Sequence, residues 1–308
     1  MHWCSTNLRV VAASGRKPTP SLRYRRIRAL LLLLTLVGVV AIATHTVRSG
    51  LAGPTAAVDE GVDQAPPSAA DTLSPDETLR AAVAARSGQL PGRLSIALRN
   101  LDSGVTATYG PDVRYATASI VKVDILAGLL LQRGGELSSS QQALARRMIQ
   151  NSDNDAATAL WRQLGRGTGL QSANQRLGLT ATVGGPELTW GLTTTTAADQ
   201  LRLLTAVFTD DSPLNAQARS FLRTLMGHVA EDQDWGVSAV DSGSGTKHYV
   251  KNGWLPRSGG WILNSIGAVE YNGHVLLLVA LSDGQPAKDR GIATLEEITI
   301  ATAPAVTG

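Results

Sequence analysis

The sequence predicts an α/β domain. One antiparallel sheet is built from strands near both ends of the chain and flanked by helices, with an all-helical lobe inserted between them. Three observations carry this expectation. Apolar and polar residues alternate over 93–99 and again over 105–109, the period of a strand with one face buried. Residues 119–226 instead show helical spacing, broken by Gly-rich or polar stretches. Strand character then returns over 248–252, 261–270 and 274–282. Strands that bracket a run of helices are accommodated by a single sheet into which the helices are inserted.

The elements follow in chain order. Ser74-Pro75-Asp76-Glu77 places a capping residue before a proline at the first helical position and a glutamate at the third, opening a helix to about Ser87. Asp102-Ser103-Gly104 turns the first strand into the second. Helices are expected over 119–132, 139–150, 153–165, 196–208 and 213–226. Asn272-Gly273 joins the last two strands, and a helix over about 288–301 closes the chain. No internal repeat is visible.

Composition narrows the rest. The chain has 308 residues, 17% of them charged, and a net charge of +3, enough for one sizeable domain with a real core. The positive charge is concentrated at the front: Arg9, Arg16, Lys17, Arg23, Arg25, Arg26 and Arg28 precede any acidic residue, the first being Asp59. From Ser74 onward 20 basic residues face 21 acidic ones, which gives no support to a nucleic-acid partner. Residues 1–28 therefore read as a basic cytoplasmic tail. Residues 29–47 read as an apolar segment near the lower length limit for a bilayer span. It is either an uncleaved anchor or a signal sequence cut after Ala43 in Ala41-Ile42-Ala43. Residues 48–73, with Pro54, Pro66 and Pro67, read as a flexible linker, and 74–308 as the exported domain. Cys4 is the one cysteine and precedes the apolar run, so a disulfide within the domain is excluded. His2, His45, His228, His248 and His274 are scattered singly. Neither a metal site nor a Ser-His-Asp triad is expected, nor any cofactor.

Three short strings carry chemistry: Ser119-Ile120-Val121-Lys122, Ser152-Asp153-Asn154 and Lys251-Asn252-Gly253. The S-x-x-K spacing alone is weak, since Ser14-Gly15-Arg16-Lys17 and Ser244-Gly245-Thr246-Lys247 share it. Ser119 differs in standing at the start of an apolar helix, where N–H groups point at a developing oxyanion. Lys122 lies one turn further on the same face, so its amine reaches the hydroxyl. To act as a base at neutral pH it needs a pKa well below the ordinary lysine value near 10.4. A capping serine beside a solvated lysine is the alternative. In Ser152-Asp153-Asn154, either Ser152 or Asp153 caps the following helix, or Ser152 passes a proton to a leaving nitrogen while Asn154 contacts substrate and helps hold Lys122. Lys251 would line a cleft wall from a strand, with Gly253 leaving room for substrate along that edge.

The ordered trio, the early and late strands around a helical middle, and Thr193-Thr194-Thr195-Thr196 leading into a helix resemble the class A β-lactamase family and its relatives among penicillin-recognising serine enzymes. The resemblance covers residues 74–308. It implies a β-lactamase/transpeptidase-like fold, Ser119 as acylated nucleophile, Lys122 as its base, and Ser152 and Asn154 as proton relay and substrate contact. It further implies Lys251 as a positive group near the substrate carboxylate, and the backbone N–H groups of Ser119 and Trp254 as an oxyanion hole. The implied partner is a small β-lactam or a peptidoglycan peptide, handled by a monomer.

Three departures qualify it. Asn252 stands where the family has a hydroxyl, and its amide is expected to donate to a substrate carboxylate instead. The interval from Lys122 to Ser152 is short, which implies a more open cleft. The loop that carries the family's deacylating glutamate is cut down, leaving Glu187 as the acid between Asp155 and Asp199. If Glu187 reaches the hydrolytic water, the chain is a serine hydrolase that turns over β-lactams; if it is a surface acid, acylation proceeds and deacylation stalls. A D-Ala-D-Ala peptidase or transpeptidase is one alternative, and a non-catalytic binding protein of the wall is the other.

Overall fold

A computed structural model describes residues 73–86, 92–240 and 247–308. The expected tail, apolar segment and most of the linker lie outside them, as do Ser14 and Ser244. Among the described residues no helix is long and apolar enough to cross a membrane.

Helix α1 (Pro75–Ala84) begins as the sequence requires. Ser74 accepts from the N–H of Glu77, and the Glu77 carboxylate accepts from the N–H of Ser74 at 2.8 Å. Strands β1 (Arg93–Asn100) and β2 (Thr106–Tyr109) follow, and β3 (Tyr115–Ala116) leads into a 3₁₀ turn at Ala118–Ile120. The helical lobe comprises α2 (Val121–Gln132), α3 (Ser139–Gln150), α4 (Asn154–Leu164) and α5 (Arg166–Leu177), then, after the two-residue β4 (Thr194–Thr195), α6 (Ala197–Phe208) and α7 (Ala216–Met226). Strands β5 (His248–Arg257), β6 (Gly260–Tyr271) and β7 (His274–Gln285) return to the sheet, and α8 (Lys288–Thr302) ends the regular structure.

The sheet order is β2-β1-β7-β6-β5, antiparallel throughout. The early strands thus join the late ones across the whole lobe, with Arg93 paired to Asp283. One face of the sheet packs on the lobe through Ala97, Ile266, Ala268, Leu277, Val279 and Leu281. The other meets α1 and α8 through Leu79, Val83, Leu295 and Ile298. Asn272 (φ 51°) and Gly273 (φ 80°) make the tight turn between β6 and β7, a geometry suited to the right-handed twist of a hairpin.

Strand β5 runs five residues beyond the expected 248–252, the short β3–β4 pair was not expected, and two helices differ from the sequence expectation. Helix α2 starts at Val121, so Ser119 sits in the 3₁₀ turn ahead of it. Helix α5 was not anticipated, because Gly167 and Gly169 depress helical propensity. Packing explains the second glycine: a Cβ on Gly169 would stand 1.8 Å from the carbonyl oxygen of Leu164. Its absence lets α5 fold back on the end of α4, across Gly165 (φ 96°) and Arg166 (φ 55°).

Helix α2 is buried from Val121 to Leu131, including the charged types Lys122 and Asp124. Burial pushes the Asp124 carboxyl up to about 7, with the neighbouring Asp199 acting in the same direction. Its Oδ1 accepts from Gln200 Nε2 at 3.2 Å, whereas Asp124 Oδ2 and Gln200 Oε1 have no partner. A proton on Asp124 removes the buried charge and turns one of its oxygens into a donor. Because the folded pKa exceeds the unfolded one, this group's contribution to stability is full below about pH 4 and is lost as pH rises towards 7. Asp124→Asn is therefore expected to flatten the fall in urea midpoint between pH 5 and 7; an unchanged slope would place the titration elsewhere.

Candidate active site

The three motifs converge where the lobe meets the sheet edge. The turn carrying Ser119 is held from the sheet by Asn264, buried in β6, which donates from Nδ2 to the carbonyls of Ala116 (2.9 Å) and Thr117 (3.1 Å). Ala118, immediately before the serine, takes φ 47°. A left-handed conformation at a residue with a side chain is disfavoured and persists only where its surroundings impose it. Sequence reading missed Asn264; its signal was a polar residue within the apolar run Ile262-Leu263-Asn264-Ser265-Ile266.

Ser152 also has a positive φ, 53°. Its neighbour Asp153 caps α4 by accepting from the Ala156 N–H at 2.8 Å and pairs with Arg147 of α3 at 2.6 Å. The Ala156 N–H, followed by Arg147, holds the Asp153 carboxyl below its usual range. The cap and the contacts with Lys122 thus coexist: Asp153 fixes the turn, leaving Ser152 and Asn154 to face Lys122. Arg147 is a second positioning residue that the motif did not reveal.

Lys122 is the hub. Its Nζ lies 3.0 Å from Ser119 Oγ, 3.0 Å from Ser152 Oγ, 2.6 Å from the Ser152 carbonyl and 2.9 Å from Asn154 Oδ1. Burial brings its pKa down to about 7, partly opposed by Asp153. The partners match a neutral amine: two N–H groups satisfy the two carbonyl-type oxygens, which can only accept, and the lone pair is left for a hydroxyl proton. Lys251, on β5, reaches Ser152 Oγ at 3.1 Å and the Asn252 carbonyl at 2.8 Å. Burial, then the charge of Lys122, hold its pKa well below the ordinary lysine value, against Asp232. Ser152 Oγ thus bridges the two amines.

The pleat of β5 sorts the third motif. Lys251 points to the lobe. Asn252 points to the opposite side, where its Nδ2 donates to the carbonyls of Gln233 (2.7 Å) and Trp235 (2.9 Å). The expectation that this amide meets a substrate carboxylate is corrected: both of its hydrogens are occupied within the protein, and the side chain is fully buried. The Trp254 side chain follows Asn252 to that outer face, its ring centroid 6.1 Å from that of Trp235 and Lys288 Nζ 4.2 Å above it. Only its backbone can take part in an oxyanion hole. Gly253 lies against the turn that carries Ser119 so closely that a Cβ there would be 2.6 Å from the Ser119 nitrogen.

Glu187 is not brought to this cluster. Its side chain is 82% exposed and pairs with Arg166 at 3.1 Å, and its backbone takes φ 47°. Placement at the surface removes the water-activating role considered for it. The indole of Trp190, three residues on, turns inward, its ring centroid 4.8 Å from Lys122 Nζ. Nothing in the sequence distinguished Trp190 from a core aromatic.

A sheet joined from both ends of the chain, an inserted helical lobe, and a Ser–Lys pair beside a Ser-Asp-Asn turn at their seam define a protein of the penicillin-recognising serine enzyme class. A model of the β-lactamase enzyme family matches residues 131–303, and the chain belongs to that family. The match takes in the second and third motifs and begins after Lys122. Similar solved structures include a class A β-lactamase from Bacteroides cellulosilyticus, at 15% identity and a TM-score of 0.65, covering 76% of this chain and 99% of that one. A β-lactamase from Xanthomonas campestris is 22% identical with a TM-score of 0.64, covering 75% and 98%. A variant of PBP-A, solved as an acyl-enzyme complex with penicillin G, is 21% identical with a TM-score of 0.63, covering 74% and 95%. These likenesses establish the fold. No curated protein matches the sequence.

Proposed function

We propose that the domain is a serine hydrolase of the class A β-lactamase type, which opens β-lactam rings through an acyl-Ser119 intermediate and discharges that intermediate slowly. The observation that carries this reading is the amine of Lys122, desolvated and 3.0 Å from Ser119 Oγ. Neutral Lys122 takes the Ser119 proton as Oγ attacks the lactam carbonyl. The N–H groups of Ser119 and Trp254 receive the oxyanion. Ser152 gives its proton to the leaving nitrogen and regains one from Lys122, with Lys251 donating to the Ser152 oxygen and holding it in place. Asn154 orients Lys122 and faces the substrate.

A second reading, a peptidase or transpeptidase acting on D-Ala-D-Ala ends of wall peptides with a peptide amine or water as acceptor, is favoured by the exposure of Glu187: it needs the same acylation, and transfer to an amine needs no carboxylate that activates water. The PBP-A acyl-enzyme with penicillin G, a fold relative, supports acylation as the shared step. Residues 29–47 are assigned as the anchor or signal that carries the domain outside the cytoplasmic membrane, and the N-terminal residue of the mature protein distinguishes these two.

Incubating the full-length protein with a chromogenic penicillin or cephalosporin and following both colour and intact mass tests the proposal. A covalent adduct of the mass of the opened lactam is expected on the wild type and is expected to be lost completely in Ser119→Ala. No adduct and no turnover in the wild type would overturn both catalytic readings.

A further inference from the structure

The loop over 183–193 is tied at every turn. Val183 and Thr194 exchange backbone hydrogen bonds at 2.8 and 2.9 Å, and Gly185 donates to Thr193 Oγ1 at 3.0 Å. The fully buried Trp161 donates from its indole to the Glu187 carbonyl at 2.7 Å. A Cβ on Gly185 would lie 2.2 Å from the Thr189 carbonyl, so the loop closes on itself tightly there. These contacts fix which side chains turn outward and which turn inward. Glu187 is outside with Arg166, and Trp190 is inside, its Nε1 donating to Thr158 Oγ1 at 3.1 Å. Thr158 follows Asn154 by one turn of α4, so the helix face that holds Lys122 through Asn154 also holds the indole above it. Ser119, Ser152 and Asn154 occupy the polar directions around the Lys122 amine, and the Trp190 ring lies over it as well.

We propose that Trp190 is a positioning residue whose indole covers the Lys122 amine and excludes water from it, so that the Ser119 ester persists. This rests on acylation of Ser119 as proposed above. Discharge requires a water oxygen to form a bond to the acyl carbon as the bond from that carbon to Ser119 Oγ breaks. The water loses one proton to a base, and Ser119 Oγ regains one. Lys122 is the base in reach of that oxygen, and the indole fills the approach along which water would join it. Closing a site in this way protects a reactive intermediate from hydrolysis.

The test is the lifetime of the penicilloyl adduct on the full-length protein, followed by intact mass after removal of free penicillin G. Trp190→Ala is expected to shorten it by ~10-fold or more, and Trp190→Phe, which keeps a ring, to leave it near the wild-type value. Trp190→Ala is also expected to move the pH profile of acylation upward, because water reaching the Lys122 ammonium stabilises its charged form. Thr158→Val keeps the ring but removes its tether, so an intermediate lifetime is expected, and this variant decides the matter if Trp190→Ala does not fold. Lifetimes unchanged in these variants, with adduct still formed, would overturn the role of Trp190 while leaving acylation standing. A wild type that forms no adduct would overturn both.

Discussion

Replacement of Lys122 by Met is expected to slow acylation of Ser119 by ~10²- to 10⁴-fold at neutral pH, the range by which a positioned general base accelerates a reaction. The large effect follows from how completely the site is organised around one nitrogen. Its distances to Ser119 Oγ, Ser152 Oγ and Asn154 Oδ1 all fall between 2.9 and 3.0 Å, and burial holds its pKa at about 7. In the wild type the acylation rate should follow the free-amine fraction, rising with pH up to about 7 and levelling above it. Lys122→Arg should not restore activity, because a guanidinium keeps its proton throughout this range. Second-order acylation rates from pH 5 to 9 check both points. A Met variant within threefold of the wild type would show that another group takes the serine proton.

Gly253→Ala is expected to reduce acylation by ~10²-fold or more, on the scale of losing one oxyanion donor. The new methyl carbon would lie 2.6 Å from the Ser119 nitrogen, 2.8 Å from the Thr117 oxygen and 2.9 Å from the Ile120 nitrogen. All three are backbone atoms of a turn already anchored through Asn264, so β5 and the nucleophile turn have to separate, and the two N–H groups proposed for the oxyanion separate with them. Overpacking of this kind also costs ~1–3 kcal/mol of stability. Gly259, at the tip of the β5–β6 hairpin, has open space where a Cβ would go, so Gly259→Ala is the matched control. Equal acylation by the two alanine variants would remove Gly253 from the site.

Much of the architecture was legible because its signals are local. The Ser74 capping box, the Asn272-Gly273 turn and the alternation in β1 each follow from residues a few positions apart. The joining of both ends of the chain in one sheet followed from their order. The start of α2 was misplaced because the apolar run is continuous through Ile120 and Val121, whereas the chain there passes through Ala118 at a positive φ and a 3₁₀ turn before the α-helix begins. Helix α5 was hidden because its glycines serve close packing and weaken the local pattern. In the site, the residues at fixed short spacing were legible: Ser119 with Lys122, and Ser152 with Asn154. Asn264 and Trp190 were not, since each acts through a partner far along the chain; Arg147 was not, because its pairing with Asp153, six residues on, exists only once the turn between α3 and α4 has formed. Asn252 was misread although the strand alternation that turns it away from Lys251 is present in the sequence itself.

Asn252 acquires a different meaning once its two carbonyl partners are considered. Side chains alternate along a strand, so a slip of β5 by one residue against β6 would send Lys251 to the outer face and bring Asn252 into the cleft. The pairing of Asn252 with Ser265 is fastened on the outer side, where the Asn252 amide hooks the chain at Gln233 and Trp235 and Ser265 Oγ accepts from the Val237 N–H at 2.9 Å. A hydroxyl at position 252 has one hydrogen to give and could engage only one of those carbonyls. The residue that departs from the family's pattern thus fastens the register of an edge strand, which has a neighbour on one side only, through a side chain turned away from Lys251.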